Sequence, residues 1–139
     1  MQSTTMKLQV KRYFRGEECI KGTLSVNGTP FCETREACGS PSAKSVLQPG
    51  CHTCTCCSST LSPMTLKVRC RQGKRPTLFG WHPLRQWQSG FILLGSADAG
   101  TPSEERELTR QQEIFDAFTR LVYTAFGRGE PFELEVADS

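Results

Sequence analysis

The sequence predicts one α+β domain over residues 6–139: a mostly antiparallel β-sheet or partly closed barrel from 6 to 95, one long helix over about 103–126 packed on it, and a final strand over 132–136. Three observations predict it. Short β-prone runs follow one another at meander spacing as far as Gly95, Asn27-Gly28 stands between two of them, and beyond Gly95 the apolar period changes from two toward three and four residues. A chain of 139 residues supports a single core.

Leu8, Val10, Tyr13 and Phe14 alternate in part, as in a strand with one face on a core. The run from Cys19 to Val26 and the run from Thr29 to Arg35 flank Asn27-Gly28, the strongest short hairpin signal, because both residues tolerate the positive φ of a type I′ turn. Residues 37–44 are small and rich in breakers and read as a loop, and Pro49-Gly50 reads as a turn opening a Cys- and Thr-rich strand. Further strands are expected over 65–70, 77–82 and 89–95. Residues 96–102 form a linker, and Thr101 or Ser103 caps a helix whose first turn carries Glu104, Glu105 and Glu107. Leu108, Gln111, Phe115, Phe118, Leu121, Val122 and Ala125 recur at helical spacing, and Gly127 and Gly129 end the element. Residues 1–5 are expected to be a flexible N-terminus.

Seventeen basic and 14 acidic residues leave a net charge of +3, an excess too small by itself to imply nucleic acid, which is not the expected partner. No apolar run reaches membrane-spanning length, and the N-terminus lacks the hydrophobic segment of a secretory signal, so no membrane and a cytoplasmic setting, or delivery within a phage or secretion assembly, are expected.

Five of the eight cysteines lie between Cys51 and Cys70. Without a signal, thiols or a metal are favoured over a disulfide framework. Cys51, His52, Cys54 and Cys57 have spacings that suit tetrahedral zinc, but on a strand Cys54 and Cys56 share one face and Cys51 and Cys57 the other, which scatters the ligands. Packing thiols and no cofactor are the expected outcome. The basic run Lys67, Arg69, Arg71, Lys74 and Arg75 reads as a solvated face.

The stretch 80–95 carries a second constellation: Trp81, His82, Arg85 and Trp87, then Ser89 and Gly90 as a turn, then Phe91 opening an apolar run. These residues form a candidate pocket, with His82 and Ser89 as the catalytic candidates, since imidazole can activate a neighbouring hydroxyl or thiol.

Several segments resemble a small phage and Bacteroidetes domain family of unknown function, itself similar to the L,D-transpeptidase fold. Leu8, Val10 and Arg12 match its first strand; Gly22, Leu24, Val26, Gly28, Phe31, Cys32 and Thr34 match its hairpin; 47–52 and 82–95 match its turn and its histidine-containing segment more loosely. The resemblance implies a β-rich fold with a helix packed on it and an ancestry in peptidoglycan chemistry. Phe91 occupies the place of the nucleophilic cysteine, Pro83-Leu84-Arg85 replaces the Gly-Asn after the histidine, and His52 replaces a tyrosine. The expectation is therefore a non-catalytic binding or structural module whose partner is a peptidoglycan fragment or another protein. The alternatives are an enzyme on cell-wall peptides using Ser89 or one of Cys54, Cys56 and Cys57 near His82, and a zinc-stabilised module.

Overall fold

In a computed structural model that describes residues 5–17, 19–37, 47–57, 65–68, 77–80, 91–95 and 105–138, period-two alternation is what builds the molecule. Along β1 (Met6–Arg15), Met6, Leu8, Val10 and Arg12 are buried while Lys7, Gln9 and Lys11 are exposed. Along β2 (Cys19–Val26), Ile20, Gly22, Leu24 and Val26 are buried in the same way. Each strand thus offers one face to an interior and the other to water.

The hairpin to β3 (Thr29–Ala37) forms as the Asn27-Gly28 pair predicts, with φ of 50° and 86° at the two turn residues. Asn27 also ties the turn to β1. Its Oδ1 accepts the Lys7 amide at 2.9 Å, and its own amide donates to the Lys7 carbonyl at 2.7 Å.

β4 (Gly50–Cys57), β5 (Thr65–Val68), β6 (Thr77–Gly80), β7 (Phe91–Gly95) and β8 (Phe132–Asp138) complete the sheet. The strands run in the order β1-β2-β3-β7-β6-β5-β4-β8, and β8 pairs back onto β1, so the barrel is closed. Two features differ from a meander. β6 and β7 are parallel, Phe79 opposite Ile92, and parallel neighbours need a crossover rather than a hairpin turn. The last strand is not an addition to a sheet finished at Gly95: it lies between β1 and β4, parallel to the first and antiparallel to the second. Closure through β8 leaves no open edge in the ring.

Helix α1 (Glu105–Gly127) buries Phe115, Phe118, Val122 and Ala125, while Gln112, Glu113, Asp116 and Arg120 face water. Leu121, counted into the apolar stripe from its spacing, is 40% exposed and lies off it. Phe118 is the contact that joins helix to barrel. Its ring centroid is 5.1 Å from that of Phe79 on β6, 6.3 Å from that of Phe31 on β3 and 6.4 Å from that of Phe115, in tilted packing. The helix ends in a Schellman turn. Gly129 has φ 71°, its amide donates to the Phe126 carbonyl at 3.0 Å, and the Glu130 amide donates to the Ala125 carbonyl at 3.0 Å. Inward side chains of the strands and the apolar face of α1 form one continuous core, so the barrel interior is filled by side chains. No described helix is long and apolar enough to cross a membrane.

Candidate functional site

The alternation that fills the barrel also carries two charged residues into it. Arg12 follows Met6, Leu8 and Val10 on the inward face of β1, and Glu36 follows Thr34 on that of β3. They are 3% and 5% exposed. Arg12 Nε donates to Glu36 Oε2 at 3.0 Å and Nη2 donates to Oε1 at 2.9 Å, a two-pronged pairing that satisfies both carboxylate oxygens. The remaining amine, Nη1, lies 3.6 Å from Oδ1 of Asp138 at the end of β8, an ion pair without a hydrogen bond. The Thr34 and Thr77 hydroxyls are buried and likewise make no hydrogen bond in the structure. This polar cluster marks one end of the barrel interior, where β1, β3 and β8 finish and β7 begins.

Gly22 makes the pairing possible. It stands on β2 between the two partners, in register with Arg12 on one side and Thr34 on the other. A Cβ at this position would lie 2.9 Å from the Lys11 carbonyl oxygen, 3.0 Å from Thr34 Oγ1 and 3.3 Å from Arg12 Cα. Backbone cannot step aside as a side chain can, so Gly22→Ala is expected to destabilise the fold by about 1–3 kcal/mol, as overpacking does. Urea unfolding checks it; a change within about 0.5 kcal/mol would show that the strands part freely here.

Of the sequence-derived pocket, Trp81, His82, Arg85, Trp87, Ser89 and Gly90 lie outside the described residues. Phe91 is the first residue of β7, in register with Leu78, and its neighbour Ile92 pairs with Glu36. The strand that follows the His82–Ser89 stretch therefore starts beside the ion pair.

The cysteine run is a strand, β4, and divides as a strand must. Cys54 is buried and Cys56 half-buried against the core, whereas Cys51 is exposed with Thr53 and Thr55. The candidate zinc ligands Cys51 and Cys54 thus stand on opposite faces, and Cys57 closes the strand opposite Thr65. His52 is held locally, its Nε2 2.8 Å from the Gln48 carbonyl oxygen. Among the described residues no three His, Cys, Asp or Glu side chains converge as a metal site requires.

Burial also sets thiol chemistry. Desolvation pushes the Cys54 thiol up to about 12, and pushes Cys32 up to about 12 against a lowering hydrogen bond to the Gly95 backbone, with the Glu33 charge adding to the rise. Cys51 is raised by desolvation and then by the Glu133 and Glu135 carboxylates on β8. All three are thiols rather than thiolates at neutral pH, the unreactive form. The sign for stability follows. The unfolded chain ionises Cys32 and Cys54 near the ordinary value of 9.0 while the folded chain keeps its protons to about 12, so their contribution is present below pH 9 and lost as pH rises from 9 to 12. Cys54→Ala is expected to flatten that decline in urea titrations over the same range; an unchanged slope would mean Cys54 ionises in the native state.

The residues that sequence reasoning missed are Arg12 and Glu36. Arg12 entered only as the third match to a strand motif, and Glu36 entered no site at all. The signal was the alternation itself, which places both on the inward face when it is carried through the charged positions. Compared with protein-family models, curated protein sequences and solved structures, the chain matches none.

Proposed function

We propose that this chain is a non-catalytic binding or structural module. The observation that supports it best is the interior: apolar side chains and the helix fill the barrel, and its one described polar end holds a guanidinium already paired in a fork with a carboxylate. Such a centre fixes strands against each other and leaves the outer faces and loops for recognition. The raised thiols support the same reading, since each is disarmed as a nucleophile at neutral pH. A phage or mobile-element origin and a cell-wall connection rest on the sequence resemblance.

The test is incubation of the purified full chain with isolated peptidoglycan, followed by sedimentation and by chromatography of the released peptides. Unchanged peptides support a module, and co-sedimentation adds the cell wall as its partner. Released or exchanged peptides, lost in His82→Ala or Ser89→Ala, would make the chain an enzyme and overturn the proposal.

A further inference from the structure

The tip of the β2–β3 hairpin holds the only asparagine in the sequence, and Gly28 follows it. The dipeptide that shapes the turn is also a reactive one. The backbone nitrogen after an asparagine can attack the side-chain Cγ, and glycine puts no Cβ in the path. Both residues are exposed, so water reaches the Asn27 carboxamide. A Cβ built on Gly28 meets nothing within 4 Å, so no other element stands over the tip. The restraint lies elsewhere. Asn27 Oδ1 accepts the Lys7 amide at 2.9 Å, and the Asn27 amide donates to the Lys7 carbonyl at 2.7 Å. Lys7 stands on β1, one residue before the Leu8–Val26 pair. The two bonds therefore fasten the electrophilic Cγ to β1, while the attacking nitrogen belongs to the turn.

We propose that Asn27 is a site of spontaneous deamidation, latched by its two hydrogen bonds to Lys7 and modified when that latch opens. The Gly28 nitrogen, having lost its proton to solvent base, forms a bond to Asn27 Cγ; the Cγ–Nδ2 bond breaks, and ammonia leaves with a proton from water. The product is a five-membered succinimide. Water then opens the ring on one of two sides. Cleavage of the new bond at Cγ leaves aspartate on a normal backbone, and cleavage at the original carbonyl carbon leaves isoaspartate, whose chain runs through Cβ. No oxidation state changes, and water is the one co-reactant. The two products differ in consequence. Aspartate keeps an oxygen for the Lys7 amide, whereas isoaspartate adds a backbone atom to a two-residue turn whose length sets the Val26–Thr29 register. The modification needs no partner and stands apart from what the module binds.

The experiment is ageing of the purified full chain at neutral pH, folded and in urea, with mass spectrometry of the tryptic peptide 22–35, in which Asn27 is the one amide side chain. Conversion is expected in both states and to run roughly tenfold to hundredfold slower in the folded chain, the effect of two net hydrogen bonds. Lys7→Pro removes the donor to Oδ1 and is expected to bring the folded rate toward the unfolded one. Circular dichroism confirms that this variant folds. Should it unfold, hydrogen exchange of the Lys7 amide in the unaltered chain replaces it: exchange and Asn27 conversion are expected to rise together as urea is added below the unfolding transition. Equal rates in the folded and unfolded chains overturn the proposal, as does a folded rate that neither Lys7→Pro nor Lys7 amide opening moves. No conversion in the unfolded chain overturns it as well.

Discussion

Arg12→Ala is expected to cost about 3–5 kcal/mol of folding stability, because it leaves the Glu36 carboxylate buried without its partner. The pair is inside the barrel, with side chains 3% and 6% exposed, so water cannot take the place of the guanidinium without opening the wall. The same physics gives a second arm. Removing both charges together, as Arg12→Met with Glu36→Leu, is expected to recover most of the loss, since hydrophobic replacements of a buried pair are often neutral. Asp138, whose side chain is 48% exposed, contributes little: Asp138→Asn is expected to shift stability by less than about 1 kcal/mol. Urea unfolding of the four chains reads all of this. A small effect of Arg12→Ala would mean that the polar end of the barrel is hydrated and the pair is not isolated from solvent.

The second large effect is expected at the helix. Phe118 is fully buried and its ring packs against Phe31, Phe79 and Phe115, so it links α1 to two staves of the barrel at once. Phe118→Ala is expected to cost about 3–5 kcal/mol through lost burial and the cavity left behind. Tyr123→Ala, on the same helix but 66% exposed, is expected to stay within about 0.5 kcal/mol. Equal effects at the two positions would show that the helix does not close on the barrel through its aromatic face.

The elements were largely legible in the sequence, because they are decided by local chemistry. Asn27-Gly28 dictates its turn, the three- and four-residue spacing of Phe115, Phe118, Val122 and Ala125 dictates a helix, and Gly129 ends it with a positive φ. Strand order was not legible, because it depends on which distant edges meet. Nothing local in Phe132-Glu133-Leu134-Glu135-Val136 says that it runs between β1 and β4, and nothing in Phe91-Ile92-Leu93-Leu94 says that its neighbour is parallel. The buried ion pair was half legible. The period of two, carried through the charged positions, places Arg12 and Glu36 inside, while which strands bring them together is not local information. On β4 the same period correctly separates Cys51 from Cys54, while the burial that disarms Cys54 comes from strands far away in sequence.

The reading of this chain as a module that binds without catalysing would fail on one activated thiol, and thiol reactivity on the native protein tests it most directly. With a disulfide reagent at pH 7, Cys32 and Cys54 are expected to stay silent until denaturant is added and to gain reactivity only as pH approaches about 12. Cys51, exposed but raised above the ordinary thiol value, is expected to react no faster than an unactivated thiol. A cysteine that reacts rapidly at neutral pH in the folded chain, and slows in His82→Ala, would establish a thiolate with an imidazole partner and contradict the account.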